Sequence, residues 1–159
     1  MGDRCYLQIT MRRKDLEPFG NQLGWTGCYD WWDDLYDEDN PDIVTVDVQE
    51  ANYGWVDDRE AAAEAGFLFI GQHDAGGTYG PCSFAAVNGV HMEMPVDHDG
   101  NLVMALDGDL NPITDIDDLK AFRDHHKAAG KALGLHSTKG GFNADGSAED
   151  RSPALCRTA

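Results

Sequence analysis

Cys82-Ser83-Phe84-Ala85-Ala86-Val87-Asn88-Gly89-Val90-His91-Met92-Glu93-Met94-Pro95-Val96 carries the clearest fold signal in the chain. Two strand-like runs flank Asn88-Gly89, a dipeptide that favours the two-residue turn whose backbone twist matches that of paired strands. A hairpin over 82–87 and 90–96 follows, and a hairpin makes its sheet antiparallel there. Downstream, Asp97-His98-Asp99-Gly100 reverses the chain again into a short strand over 101–106. Upstream, the apolar run Phe67 to Ile70 suits a buried strand.

The N-terminal half alternates strands with short helices. Residues 5–11 set Cys5, Leu7, Ile9 and Met11 against Tyr6, Gln8 and Thr10, the period of a half-buried strand. Asp15 caps a short helix with Leu16, Phe19 and Leu23 on one face and Gly24 at its end. Residues 29–39 predict another, with Trp32, Leu35 and Tyr36 turned to the core and Asp30, Asp33, Asp34 and Asp37 outward. Asn40-Pro41 stops it, and residues 43–48 alternate as a strand. Asp57 with Glu60 has the spacing of a capping box opening an alanine-rich helix that closes at Gly66. Thr114 with Asp117 opens the clearest helix, with Ile116, Leu119, Phe122, Ala129 and Leu133 on one side and Gly134 at its end. No internal repeat is apparent. The expectation is one α+β domain over residues 1–136, a mainly antiparallel sheet with three to four helices packed on one face. A mobile tail over 137–159 follows it.

Charge is the chain's most informative property. The net charge is -17, and the acids are 22 Asp against 7 Glu. Residues 1–29 carry +1 and residues 119–159 carry +3, whereas residues 30–118 hold 22 acids against the single base Arg59, giving -21. Adaptation to high salt would spread carboxylates over the whole chain, which this segregation does not match. Concentrated like charge costs stability through self-repulsion and creates a field that attracts cations and repels nucleic acid and anionic membranes. The expected partner is therefore a basic protein surface, with no direct nucleic-acid binding and no membrane contact.

Residue chemistry narrows the choices less. No apolar run is long enough to span a bilayer, and the first residues lack the basic-then-apolar pattern of a secretory signal. Cys5, Cys28, Cys82 and Cys156 form no Cys-x-x-Cys pair, which fits reduced thiols and a cytoplasmic location. The Gly-rich run Gly71 to Pro81 is expected as a plain flexible loop; the alternatives are a loop whose backbone amides form an anion nest, or one that sets His73 and Asp74 in a cleft. Asp107, Asp109, Asn111, Asp115 and Asp118 fall at positions 1, 3, 5, 9 and 12 of a loop entering a helix, overlapping the EF-hand spacing for calcium or magnesium. Pro112, however, stands where that motif needs Gly, and Asp replaces the terminal Glu. Turn and cap chemistry is the preferred reading, and no cofactor is expected.

Taken together, the residues point to a non-enzymatic inhibitor whose acidic face imitates a phosphate backbone and blocks a nucleic-acid-binding protein. Asp30, Asp33, Asp34, Asp37, Glu38, Asp39 and Asp42 supply the charge, and Trp31 the aromatic anchor that interfaces favour. In composition the chain is similar to small acidic proteins by which bacteriophages disable host defences, anti-CRISPR proteins among them, and the likeness implies action in a host cytoplasm. Two alternatives stand beside it. One is a metal-assisted hydrolase built around His73 to Tyr79, with His91 or His98 and nearby carboxylates. The other is an acidic partner of some other basic protein, without mimicry.

Overall fold

A computed structural model of the protein describes residues 3–23, 35–36 and 40–135. Six strands among these form one antiparallel sheet in the order β2-β3-β1-β4-β5-β6: β1 Arg4–Arg12, β2 Leu35–Tyr36, β3 Ile43–Asn52, β4 Phe69–His73, β5 Cys82–Val87 and β6 Val90–Pro95. Three α-helices accompany it: α1 Leu16–Gln22, α2 Val56–Glu64 and α3 Ile116–Leu133. The α+β, antiparallel expectation holds. β1 lies at the centre with Cys5, Leu7, Ile9 and Met11 buried, as its alternation requires. The hairpin turns at Asn88 and Gly89, both with positive φ (55° and 78°), the conformation that selected those residue types.

The helices are divided between the two faces instead of gathered on one. Phe19 of α1 and Ala62 and Ala63 of α2 join Leu7, Ile9, Phe69 and Phe84 on one side. Ala129 and Leu133 of α3 join Ile70, Ala85 and Val87 on the other. The cause lies in β4 and β5. Phe69-Ile70 and Phe84 to Val87 are unbroken apolar pairs and runs, so their alternate side chains demand cover on both faces. Where α3 does not reach, the second face of β1 is satisfied by polar pairing: Thr10 and Thr45 hydroxyls meet at 2.8 Å, and Gln8 donates to Asp47 at 2.9 Å.

Local expectations fail in instructive places. Leu35 and Tyr36 are not helical; they pair with Thr45 and Val44 as β2, the neighbour on one side of β3 providing ladder bonds that local propensity does not foresee. The rest of the expected 29–39 helix, and the tail, lie outside the described residues. Asp57 and Glu60 form no capping box, because α2 starts earlier, out of a turn in which Tyr53, Gly54 and Trp55 all have positive φ (52°, 59°, 54°). α3 is capped by Asp115 with Asp118 rather than by Thr114 with Asp117: the Asp115 carboxylate accepts from the amides of Asp117 and Asp118, and Asp118 accepts from the amide of Asp115.

Residues 101–106 make isolated bridges instead of a strand, and the bridges reveal a repeat. Val96 pairs with Leu102, and ten residues later Leu106 pairs with Pro112. Each pair closes a small hairpin around an Asp whose Oδ1 accepts two downstream amides, Asp97 from Asp99 and Asn101, Asp107 from Asp109 and Asn111. The sequence expectation of no repeat missed Asp-x-Asp-x-Asn recurring at ten residues.

Candidate partner-binding surface

α2 has two faces with opposite chemistry. Inward, Arg59 is fully buried against the sheet. Its Nε donates to the Gly54 carbonyl (2.8 Å), Nη1 to His91 Nε2 (3.1 Å) and Nη2 to Glu93 (3.0 Å), and its guanidinium stacks 4.0 Å from the centroid of the Phe84 ring. The ring lies where a side chain on Gly71 would stand: a Cβ there would meet the Gln8 carbonyl at 2.2 Å and the Phe84 ring at 2.5 Å. A glycine, an aromatic ring and a guanidinium therefore stack through the layer. Burial pushes the Arg59 pKa down and Glu93 pulls it back; an arginine stays charged under such opposing influences. Burial, and then Arg59 itself, hold His91 at about 4, so its ring is neutral at pH 7.

Outward, α2 presents Asp57, Asp58, Glu60 and Glu64, all exposed and none in an ion pair among the described residues. The sequence marked Arg59 as the one base in the acidic block; burial removes it from the surface altogether. Residues 40–118 thus carry sixteen Asp and Glu and no exposed Lys or Arg. Of the residues expected to meet a partner, Asp42 is described and exposed, with its backbone carbonyl taken by the Arg13 amide at 2.8 Å. Asp30, Trp31, Asp33, Asp34, Asp37, Glu38 and Asp39 lie outside the described residues.

The Gly71 to Pro81 run is not one loop. Gly71, Gln72 and His73 belong to β4, and His73 is buried with Nδ1 donating to the Asp74 carbonyl at 2.8 Å. What remains, residues 74–81, does form an anion nest, and the anion is the chain's own Asp3 carboxylate. It accepts from the Thr78 hydroxyl (2.6 Å), from the Gly77 amide and from the Thr78 amide (2.6 Å), and these bonds, the Thr78 hydroxyl's first, hold its pKa down. His98 sits exposed at a hairpin tip, apart from His73 and His91.

The EF-hand-like residues divide in the same way. Asp107 organises its turn and is held below the ordinary carboxylate range first by the Asn111 amide, while Asp115 and Asp118 cap α3. Among the described residues no three His, Cys, Asp or Glu side chains gather as a metal site. Cys5 and Cys82 are both free thiols; Cys5 is buried, and burial pushes Cys82 up to about 11. Among the described residues no helix is long and apolar enough to cross a membrane.

No protein-family model, curated protein or solved structure matches the chain.

Proposed function

We propose that this protein is a non-enzymatic inhibitor that offers carboxylates in place of phosphates and blocks a basic, nucleic-acid-binding protein. The observation that carries the reading is the burial of Arg59, which leaves the surface of residues 40–118 without a single exposed Lys or Arg. The spacing of charge supports it. Helical rise is about 1.5 Å per residue, so the four acids of α2 fall within about 10 Å, roughly one per 3 Å. A DNA strand carries a phosphate about every 3.4 Å. A groove built to displace counterions from phosphates meets a comparable axial density of charge on this helix, with Asp57, Glu60 and Glu64 on one stripe and Asp58 about 100° round from Asp57, and the acidic segment 30–42 extends the same block in sequence. A host-defence complex that holds nucleic acid is the kind of target such a surface fits.

The test is a mobility-shift competition with DNA and a basic DNA-binding domain. The protein is expected to release DNA from the domain, to do so less well as salt rises, and to shift no DNA by itself. Failure to compete at low salt, or direct binding to DNA, overturns the proposal.

A further inference from the structure

The two small hairpins over 95–103 and 105–113 are built alike bond for bond. The Val103 amide donates to the Pro95 carbonyl at 3.1 Å and the Ile113 amide to Ala105 at 2.8 Å; the Gly100 amide donates to Asp97 and the Leu110 amide to Asp107, each at 3.0 Å. Their fates differ. In the first, Val96 is 6% exposed and the left-handed turn position is Gly100 (φ 80°). In the second, every residue from Leu106 to Ile113 is exposed, the counterpart of Val96 is Leu106 at 49%, and the left-handed position holds Leu110 (φ 66°), itself 77% exposed. A leucine in this conformation strains the backbone where glycine would not. Neither the strain at Leu110 nor the exposure of Leu106, Leu110 and Ile113 is offset by packing among the described residues.

We infer that the 105–113 hairpin is an anchor for a protein partner, with Leu110 as the apolar side chain inserted into a socket ringed by lysine or arginine. The inference rests on the proposed recognition of the acidic surface by a basic protein, and it names where apolar contact joins the charge. Charge complementarity selects the occupant. Asp107 and Asp109 precede Leu110 in its own hairpin, Asp115, Asp117 and Asp118 follow, and from residue 60 to 119 the chain has no Lys or Arg. A second copy would bring the same carboxylates face to face, and nucleic acid or an anionic bilayer would be repelled. A basic protein surface with an apolar pocket satisfies both components.

The test uses two synthetic helical peptides of equal length and charge, one of lysine and leucine and one of lysine and serine, titrated into the full chain at two salt concentrations. Leu110→Gly is expected to bind the lysine–leucine peptide about tenfold more weakly, to leave the lysine–serine peptide unaffected, and to melt at the same temperature or about 2 °C higher because the strain is relieved. Leu110→Asn, which also tolerates the left-handed turn, is expected to repeat the loss. Unchanged affinity of both variants for the lysine–leucine peptide overturns the anchor while leaving salt-dependent binding of both peptides, and with it the acidic-surface reading, intact. Absence of salt-dependent binding to either peptide overturns both. A wild-type dimer in sedimentation equilibrium that Leu110→Gly dissolves overturns the assignment in favour of a second copy.

Discussion

Glu93 and Glu64 are both acids of the same block, yet they stand in opposite relations to the fold. Glu93 is the counter-charge of a buried guanidinium; Glu64 is one of four unpaired carboxylates on the outer face of α2. Removing one partner of a buried pair leaves a charge without compensation. Glu93→Gln is therefore expected to cost about 2 kcal/mol, below the full buried-pair value because Glu93 is itself partly exposed. Glu64→Gln is expected to change stability by less than about 0.5 kcal/mol or to raise it by easing repulsion. Urea denaturation of the two variants checks this, and equal costs would contradict the placement of Arg59. His91 gives a second residue-scale expectation. Its unfolded ring takes up a proton near pH 6.5, but the folded ring, buried beside Arg59, does so only near 4. The unfolded state therefore binds more protons between those values, and His91's contribution to stability is lost as pH falls through that window. Replacing it with Gln removes this fall, on the order of 2 kcal/mol after allowing for its partial exposure. Comparing the stability difference between His91→Gln and wild type at pH 7 and pH 4.5 measures it, and a pH-independent difference would contradict it.

At the scale of elements, α3 owes its start to the reciprocal bonds of Asp115 and Asp118. Asp115→Ala is expected to cost about 1 kcal/mol and Thr114→Ala much less, in thermal or urea unfolding; the reverse ranking would restore the cap that the sequence suggested. That one-residue displacement is typical of what was legible here. Strand alternation in 5–11, the Asn88-Gly89 hairpin and the long helix to Gly134 were all readable because local chemistry and tertiary need agree there. β2 was not, since Leu35 and Tyr36 become a strand through the pairing that β3 supplies. The division of helices between faces was written in Phe84-Ala85-Ala86-Val87, an unbroken apolar run that signals two covered faces, but alternation elsewhere masked it. The glycine-rich neighbours of His73 suggest a loop, although Gly71 is there to admit the Phe84 ring. The repeated Asp-x-Asp-x-Asn turns were visible as spacing, whereas the strain at Leu110 belongs to backbone geometry alone.

For the whole molecule, the decisive fact is where the only base of residues 30–118 went. A buried Arg59 ties α2 to the sheet from within and leaves α2's outer face, like the rest of the described block, without an exposed Lys or Arg. Such a surface repels itself, so the fold tolerates a cost that a partner of opposite charge would relieve. The most direct measurement is mobility-shift competition against a basic DNA-binding domain with three charge-matched variants. One reverses Asp57, Asp58, Glu60 and Glu64 to Lys; the second reverses Asp30, Asp33, Asp34 and Asp37; the third reverses Asp124, Asp145, Glu149 and Asp150, the four acids C-terminal to the block. The first two are expected to lose at least tenfold in inhibitory potency at physiological salt, where charges are screened over about 8 Å, while the third stays within about threefold of wild type. Equal loss in all three variants would reduce the acidic block to net charge alone, and full inhibition by the first two would mean that the block is not what meets the target.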